Sequence, residues 1–227
     1  MCGRATIIDP EGVEQIAVEF HKKFLPDDWK RPRYNIRPTE ELPVLRVVDD
    51  ALELTLLRWG LIPSWAKEPA LKFPTFNARG DTLAEKPTYR GPFKNRRCLV
   101  LVDGFYEWPK KPSKDRRPRH IRFRDRRCFA LAGLWDRWVD RATGIAVESC
   151  TIVTTDANEL LASVPHDRMP VILDDAARRI WLDQTSDPAR LASLLVPHSA
   201  DDMEMLIANA EFVNHAIDDP RCVEPIG

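Results

Sequence analysis

Residues 98–108 read Cys-Leu-Val-Leu-Val-Asp-Gly-Phe-Tyr-Glu-Trp, and this stretch decides the fold. Its first five residues form a continuous apolar run, which is typical of a strand buried on both faces. Asp103-Gly104 ends the run, and Glu107 then stands between the aromatic residues Tyr106 and Trp108. The stretch therefore predicts a central buried strand that leads to one carboxylate in apolar surroundings.

Strand-like and helical segments lie on both sides of this run without regular alternation. Further strands are predicted at residues 4–8, 42–48, 52–59, 121–123, 129–134 and 145–154, with a hairpin joining 42–48 to 52–59. Helices are predicted at residues 10–24, 81–85, 157–162, 175–182 and 188–195, with Asp9, Asp156, Asp174 and Asp187 as caps. Residues 203–216 fit either a strand or a helix. The mixture indicates a single domain, residues 1–227, with an α+β fold and a largely antiparallel sheet over one core.

Composition excludes several classes of protein. No stretch approaches 18 apolar residues and no apolar leader follows basic residues, so we expect no membrane association and a cytoplasmic protein, or a nuclear one in a eukaryote. Five scattered cysteines without a C-x-x-C pair indicate neither a disulfide framework nor a zinc site. Gly-rich phosphate-binding loops are missing, so no cofactor is expected, and no H-x-x-x-H pair suggests a metal. Nothing in the sequence demands more than a monomer.

Charge is divided unevenly along the chain although the net charge is only −1. Residues 1–127 contain 27 Lys and Arg against 18 Asp and Glu, whereas residues 128–227 contain 7 against 17. This asymmetry fits a surface that faces a polyanion. It fits equally well two oppositely charged halves that pair with each other across the fold.

Cys2 is the first candidate for chemistry, because removal of Met1 would make it the amino terminus. A terminal cysteine carries an amine and a thiol on neighbouring carbons, with ordinary pKa values of about 8 and about 8.5. The two groups together capture an aldehyde: the amine forms a Schiff base and the sulfur closes a five-membered thiazolidine. The alternative is that Cys2 is a small buried residue near the start of a strand.

Three other polar residues stand among apolar or aromatic neighbours, namely Asn77, Glu107 and His166. A half-buried Glu107 would carry protons at neutral pH, although an exposed position on an alternating strand fits its spacing as well. His166 precedes an apolar strand, and a histidine at such a position is commonly a structural hydrogen-bonding group. Asparagine is common in turns, so Asn77 could equally be a turn residue.

Six short motifs occur in a distinctive order and spacing. They are Met1-Cys2-Gly3-Arg4, Arg33-Tyr34-Asn35, Trp59-Gly60, Phe76-Asn77-Ala78-Arg79, Gly104-Phe105-Tyr106-Glu107-Trp108 and His166-Asp167-Arg168-Met169-Pro170. In this the chain resembles the SRAP family, the SOS response-associated peptidase-like proteins that crosslink abasic DNA sites in the DNA damage response. The resemblance implies a barrel-like sheet core with short flanking helices.

The resemblance also implies a function and the residues that perform it. Cys2 would form a stable thiazolidine crosslink with the ring-opened aldehyde of an abasic site in single-stranded DNA, and so protect the lesion. Glu107 would move protons at the amine and help reverse the adduct, and His166 would assist opening of the sugar ring. Asn77 would orient the amine or the deoxyribose. Lyase-type activity and self-processing as a peptidase belong to the same expectation, although an ordinary aminopeptidase suffices to remove Met1.

DNA contacts follow from the same resemblance. Arg4 and Arg79 resemble phosphate clamps, Trp65 and Pro38 would stack on or wedge against bases, and Arg168 would be a phosphate or structural contact. Arg37 departs from the common pattern, in which a small residue precedes Pro38. The alternatives are a thiol peptidase or amidohydrolase with an N-terminal cysteine, and a DNA-binding module in which Cys2 is structural.

Overall fold

A computed structural model describes residues 2–20, 26, 29–111 and 113–224 and shows two β-sheets with short helices around them. The strands are β1 (Ala5–Ile7), β2 (Arg33–Ile36), β3 (Glu41–Val48), β4 (Ala51–Trp59), β5 (Asn77–Arg79), β6 (Arg97–Val102), β7 (Gly104–Glu107), β8 (Arg119–Phe123), β9 (Phe129–Val139), β10 (Ala146–Asp156), β11 (Arg168–Pro170), β12 (Ile172–Leu173) and β13 (Met203–Ile207). The helices are α1 (Pro10–Val18), α2 (Arg90–Asn95), α3 (Glu159–Ala162), α4 (Asp175–Leu182), α5 (Pro188–Ser193) and α6 (Ala210–Asn214), with 3-10 turns at Gly80–Thr82 and Pro220–Cys222. Within these described ranges, no helix is long and apolar enough to cross a membrane.

Five strands close into a barrel in the order β10, β4, β3, β6, β9 and back to β10. All neighbours in the ring are antiparallel except β4 and β10, which run parallel. Strand β6 is buried at every position, as its apolar run predicts. The α+β fold with a largely antiparallel, barrel-like core is therefore confirmed.

The second sheet has the order β13, β8, β7, β1, β2 and is antiparallel throughout. The stretch 98–108 runs from the barrel into this sheet, because β6 passes through Asp103 directly into β7. The buried Asp103 carboxylate accepts hydrogen bonds from Thr6 Oγ1 (2.6 Å), from the backbone N–H of Asp9 (2.8 Å) and from that of Ile8. These bonds fix β1 against β7 and bring the amino-terminal residues beside Glu107.

Several local predictions are confirmed. Asp49 and Asp50 form the tight turn between β3 and β4, with φ values of 47° and 61°. The side chains of Asp9, Asp174 and Asp187 cap α1, α4 and α5. The carboxy-terminal stretch that fitted either element contains both, since β13 is followed by α6. Phe24, the last residue of the first predicted helix, lies outside the described residues.

One predicted helix and one predicted cap were wrong, while the helix predicted at 157–162 is present as α3. Residues 81–85 form only a 3-10 turn, Gly80–Thr82, and then plain turns, because the Asp81 side chain binds Arg79 and Pro87 prevents continuation. Asp156 is the last residue of β10 and caps nothing; the oxygen of Asn158 accepts from Leu161 N–H at 3.1 Å and caps α3 instead. In both places side-chain hydrogen bonding to nearby groups decides where the helix can begin.

Ion pairs join the basic first half of the chain to the acidic second half. Arg122 binds Glu204 at 2.7 Å and Arg46 binds Glu148 at 2.6 Å. Arg33 likewise binds Asp218 at 2.6 Å. Pairing between the halves therefore accounts for part of the uneven charge.

Gly104 is predicted to be indispensable for the junction of the two sheets. A Cβ at this position would lie 2.4 Å from His120 Nε2 and 2.6 Å from Thr6 Oγ1, both of them buried. We expect Gly104→Ala to lower the free energy of unfolding by about 1–3 kcal/mol, as overpacking of a core does. Urea denaturation measures this.

Gly91→Ala is the matched control. The nearest atom to its new Cβ would be Arg96 Nη2 at 3.8 Å, and the residue lies in α2, where alanine is the better helix former. Equal denaturation midpoints for the two variants would contradict the prediction.

Candidate active site

Cys2 lies fully buried immediately before β1. Its Sγ donates to the carbonyl oxygen of Arg4 at 3.6 Å, and its own carbonyl oxygen accepts from Asn77 Nδ2 at 2.7 Å. Burial raises the pKa of the thiol well above its ordinary value, and the charge of Glu107 raises it further. The burial agrees with a structural cysteine, but the nearby amide and carboxylate are polar groups that a structural cysteine does not need.

Glu107 and His166 form a buried pair beside Cys2. His166 Nε2 lies 2.9 Å from Glu107 Oε2, and the two side chains are only 1% and 3% exposed. The other ring nitrogen, Nδ1, lies 2.8 Å from the carbonyl oxygen of Arg168. Because a carbonyl oxygen only accepts, Nδ1 carries a proton, and the contact with Glu107 needs a second one.

The Glu107–His166 contact therefore holds a proton that either partner can carry. The pair is an imidazolium with a carboxylate, or an imidazole with a carboxylic acid, and the proton changes partner without movement of the heavy atoms. Such an arrangement can both accept and deliver a proton during a reaction. The exposed-strand interpretation of Glu107 is excluded, because the whole of β7 is buried.

Asn77 begins β5, which pairs in parallel with β10 at Ile152. The Tyr89 hydroxyl donates to the Asn77 carbonyl oxygen at 3.2 Å, and burial raises the pKa of Tyr89 to about 12. The backbone of Asn77 is thus fixed in a position from which its Nδ2 donates to the Cys2 carbonyl oxygen. Its buried Oδ1 accepts no hydrogen bond from the described residues and is available to a ligand or to an amine.

A groove of about 580 Å³ opens beside Asn77 and is lined by Trp65, Phe73, Arg79, Lys86 and Tyr89, among others. Trp65 is 54% exposed and Phe73 is 50% exposed. Pro38 lies in a second groove of about 240 Å³, which also includes Phe73. Phe73, a residue that the sequence prediction missed, therefore lines one groove together with Trp65 and the other together with Pro38.

The three predicted arginine contacts differ in what they bind. Half-buried Arg4 donates to the Gly3 carbonyl oxygen at 3.0 Å and lies 6.0 Å from the ring of Trp108. Its pKa is lowered by burial and by Arg37, so the unusual Arg37 adds charge close to Arg4.

Arg79 is the most exposed of the three, and its guanidinium binds Asp81 at 2.6 and 3.1 Å. Arg168 is buried and donates to the carbonyl oxygen of Thr154 at 2.6 Å and to its hydroxyl at 3.1 Å. Of the two roles predicted for Arg168, the structure describes a structural contact.

Comparison with known proteins gives consistent matches over most of the chain. A family model described as "SOS response associated peptidase (SRAP)" matches residues 1–215. The abasic site processing protein YoqW of Bacillus subtilis is 41% identical over 209 residues, which cover 90% of each chain. The abasic site processing protein HMCES of Gallus gallus is 36% identical over 235 residues, covering 90% of this chain and 69% of that protein.

Among solved structures, a crystal structure of a protein from Bacteroides thetaiotaomicron superposes with a TM-score of 0.85. It is 27% identical, and the match covers all of both chains. The same architecture therefore occurs in a chain whose sequence differs at most positions.

The protonation of His166 can be tested by nitrogen-15 NMR. We expect a directly bonded proton on Nδ1 in the wild type and in Glu107→Gln, because the Arg168 carbonyl accepts it in both. His120 is an internal reference: burial lowers its pKa to about 3, so it stays neutral and its signals stay constant from pH 5 to 9. A bare Nδ1 on His166 would contradict the shared-proton arrangement.

Proposed function

The chain belongs to the SOS response associated peptidase (SRAP) family, and from this premise we propose that it captures abasic sites in single-stranded DNA through a covalent bond to Cys2. The names of its relatives support abasic-site processing as the general activity. The observation that carries the chemical proposal is the buried Glu107–His166 pair beside Cys2.

The proposed reaction begins at the open-chain aldehyde of the abasic deoxyribose. Once Met1 is removed, the Cys2 amine attacks the aldehyde carbon, forms a C–N bond and, with loss of the aldehyde oxygen as water, gives an imine. The thiol then adds across the C=N bond: sulfur bonds to the carbon and the S–H proton passes to nitrogen. The product is a five-membered thiazolidine that links protein to DNA.

The polar residues of the site are suited to the proton transfers in this sequence. Glu107 takes a proton from the attacking amine, and the proton shared with His166 is available to the departing oxygen. His166 also assists opening of the sugar ring. Asn77 holds the Cys2 carbonyl oxygen and offers Oδ1 to the amine or to a sugar hydroxyl, so its contribution is orientation.

The raised pKa of the Cys2 thiol favours this reaction over amide hydrolysis. Thiol peptidases attack with a thiolate, and their cysteines have lowered pKa values. Here burial and the Glu107 carboxylate both disfavour the thiolate. In aldehyde capture the amine attacks first, and the thiol adds later to an activated imine, so a neutral thiol at the start is no obstacle.

The grooves beside the site suit a single strand of DNA. Trp65 and Phe73 expose ring faces on which bases flanking the lesion could stack, and Pro38 would wedge against a neighbouring base. Arg79 lines the larger groove and would bind a backbone phosphate, as would Arg4 at the amino terminus. Arg168 would support the site from within the protein.

Substitutions of Cys2 test the proposal. Wild-type protein, incubated with a uracil-containing oligonucleotide that uracil glycosylase has treated, should give a heat-stable band of reduced mobility. Cys2→Ala should give none, while its DNA binding remains. Cys2→Ser keeps the amine and should give only an adduct that borohydride traps, because no ring forms.

Cys98→Ala is the matched control, since it removes a buried thiol from β6 and should leave the band unchanged. A stable band with Cys2→Ala would refute the proposal. Intact mass spectrometry of the wild type with and without abasic DNA determines whether Met1 is lost and how many adducts form.

Glu107→Gln tests the proton transfer. We expect adduct formation to slow by about 100-fold, at the low end of what a general base contributes, and reversal to slow at least as much. A time course of crosslinking gives the rate of adduct formation. A time course of DNA release, with an added amine that traps the freed aldehyde, gives the rate of reversal. Glu11→Gln, on the exposed face of α1, is the control; a variant of Glu107 with wild-type reversal kinetics would remove this residue from the mechanism.

A further inference from the structure

Arg79, the best-placed residue for a backbone phosphate, already binds a carboxylate in this structure. We propose that Asp81 determines specificity for abasic over undamaged DNA. Its carboxylate competes with DNA phosphates for Arg79 and shifts toward Arg168 when a phosphate takes its place. The inference deepens the proposed function and rests on it. It assigns a role to a residue that neither the motifs nor the reaction require.

The Arg79–Asp81 contact has the geometry of a phosphate contact. Arg79 Nε and Nη2 donate to Asp81 Oδ1 and Oδ2 at 3.1 and 2.6 Å, so both donors of one edge of the guanidinium are engaged. Carboxylates and phosphates bind arginine in this same two-bond manner. Arg79 lowers the pKa of Asp81 from its ordinary value, so the carboxylate stays charged at neutral pH and the competition persists.

A second cation lies within reach of Asp81. Arg168 Nη1 is 3.9 Å from Asp81 Oδ2, the same oxygen that binds Arg79 Nη2. The Arg168 side chain is only 8% exposed, against 58% for Arg79, and its Nε has no hydrogen-bond acceptor among the described residues. The same Arg168 Nη1 already donates to Asp156 Oδ1, at 3.4 Å. A small rotation of Asp81 would release Arg79 and bring the Asp81 carboxylate closer to this nitrogen as a second partner.

The backbone around Asp81 supports a movement of the side chain alone. Gly80 packs so closely on β10 that a Cβ would lie 3.1 Å from the Thr154 carbonyl oxygen, and this fixes the 3-10 turn. The same Thr154 carbonyl oxygen accepts from Arg168 at 2.6 Å. Arg79, Asp81 and Arg168 are thus attached to one end of β10, where only side-chain torsions need to change.

Two further carboxylates strengthen the effect on Arg79. Asp156 and Asp167 both raise its pKa through their charges, as Asp81 does through direct contact. A phosphate that takes the Nε–Nη2 edge of Arg79 displaces the Asp81 carboxylate, and the charges of Asp156 and Asp167 also oppose its approach. Undamaged DNA, which offers only phosphates and bases, should bind weakly, whereas an abasic site gains a covalent bond that compensates.

Binding of undamaged DNA tests the inference. We expect Asp81→Asn to bind an intact single-stranded oligonucleotide up to about fivefold more tightly at low salt, the upper end of what one exposed ion pair contributes. Fluorescence anisotropy over a series of salt concentrations measures the dissociation constants. Glu85→Gln is the matched control, because it removes one exposed negative charge near Asp81 that lines the same cavity.

A double-mutant cycle distinguishes competition for Arg79 from a general change of charge. In an Arg79→Ala background, Asp81→Asn should gain no more affinity than Glu85→Gln does. If Asp81→Asn gains the same factor with and without Arg79, or never exceeds Glu85→Gln, the inference is overturned.

Crosslinking separates this inference from the proposed function. Intact competitor DNA should inhibit crosslinking by Asp81→Asn up to about fivefold more strongly than crosslinking by the wild type, on the same ion-pair basis. Failure of the wild type to crosslink abasic DNA would refute the proposed function, while the anisotropy cycle would still decide the role of Asp81. Equal inhibition of both proteins by the competitor would refute the role of Asp81 alone.

Discussion

The attachment of residues 2–7 to the strand that ends at Glu107 is the constraint on which the site depends. One buried carboxylate, Asp103, gathers three hydrogen bonds from Thr6, Ile8 and Asp9, and it does so at the point where the chain passes from barrel to sheet. The bonds offset the cost of burying the carboxylate, whose pKa burial raises. Backbone pairing of Ala5 with Phe105 then sets the register that brings Cys2 to the acid–base pair.

The Glu107–His166 pair is also buried, and stability alone gives little reason for its position. Burying such a pair costs desolvation that the attraction between its members does not reliably exceed. Apolar side chains on β7 and before β11 would pack as well. The Arg168 carbonyl oxygen fixes the ring of His166, and Arg168 is itself held by Thr154. The backbone of residue 168 thus holds the imidazole, while its side chain holds this segment to β10.

The sequence predicts those features that depend on neighbouring residues. The apolar run 98–102, the Asp49-Asp50 turn and the caps Asp9, Asp174 and Asp187 follow from local chemistry and are confirmed. The four residues of the site stood out as polar groups among apolar or aromatic neighbours, and the family resemblance supplied the roles expected of them. Phe73 and Asp81 were missed because their surroundings are set by the fold. Asn158 is a local cap, and the sequence analysis placed the cap two residues earlier because aspartate is an equally good capping residue. In the sequence, an aromatic residue between Lys72 and Pro74 was the available signal for Phe73. The contact of Asp81 with Arg168 could not be predicted, because it exists only once β10 and β11 have paired.

The separation in sequence between β1 and its partner β7 also affects what happens during synthesis. Residue 5 pairs with residue 105, so a ribosome must add about a hundred residues before the first strand can dock. At about 5–20 residues per second, the nascent amino terminus stays accessible for at least roughly 5–20 s. Cotranslational enzymes can reach Met1 in that interval, before Cys2 becomes enclosed. The order in which the chain emerges thus leaves Cys2, the proposed nucleophile, accessible before the fold buries it.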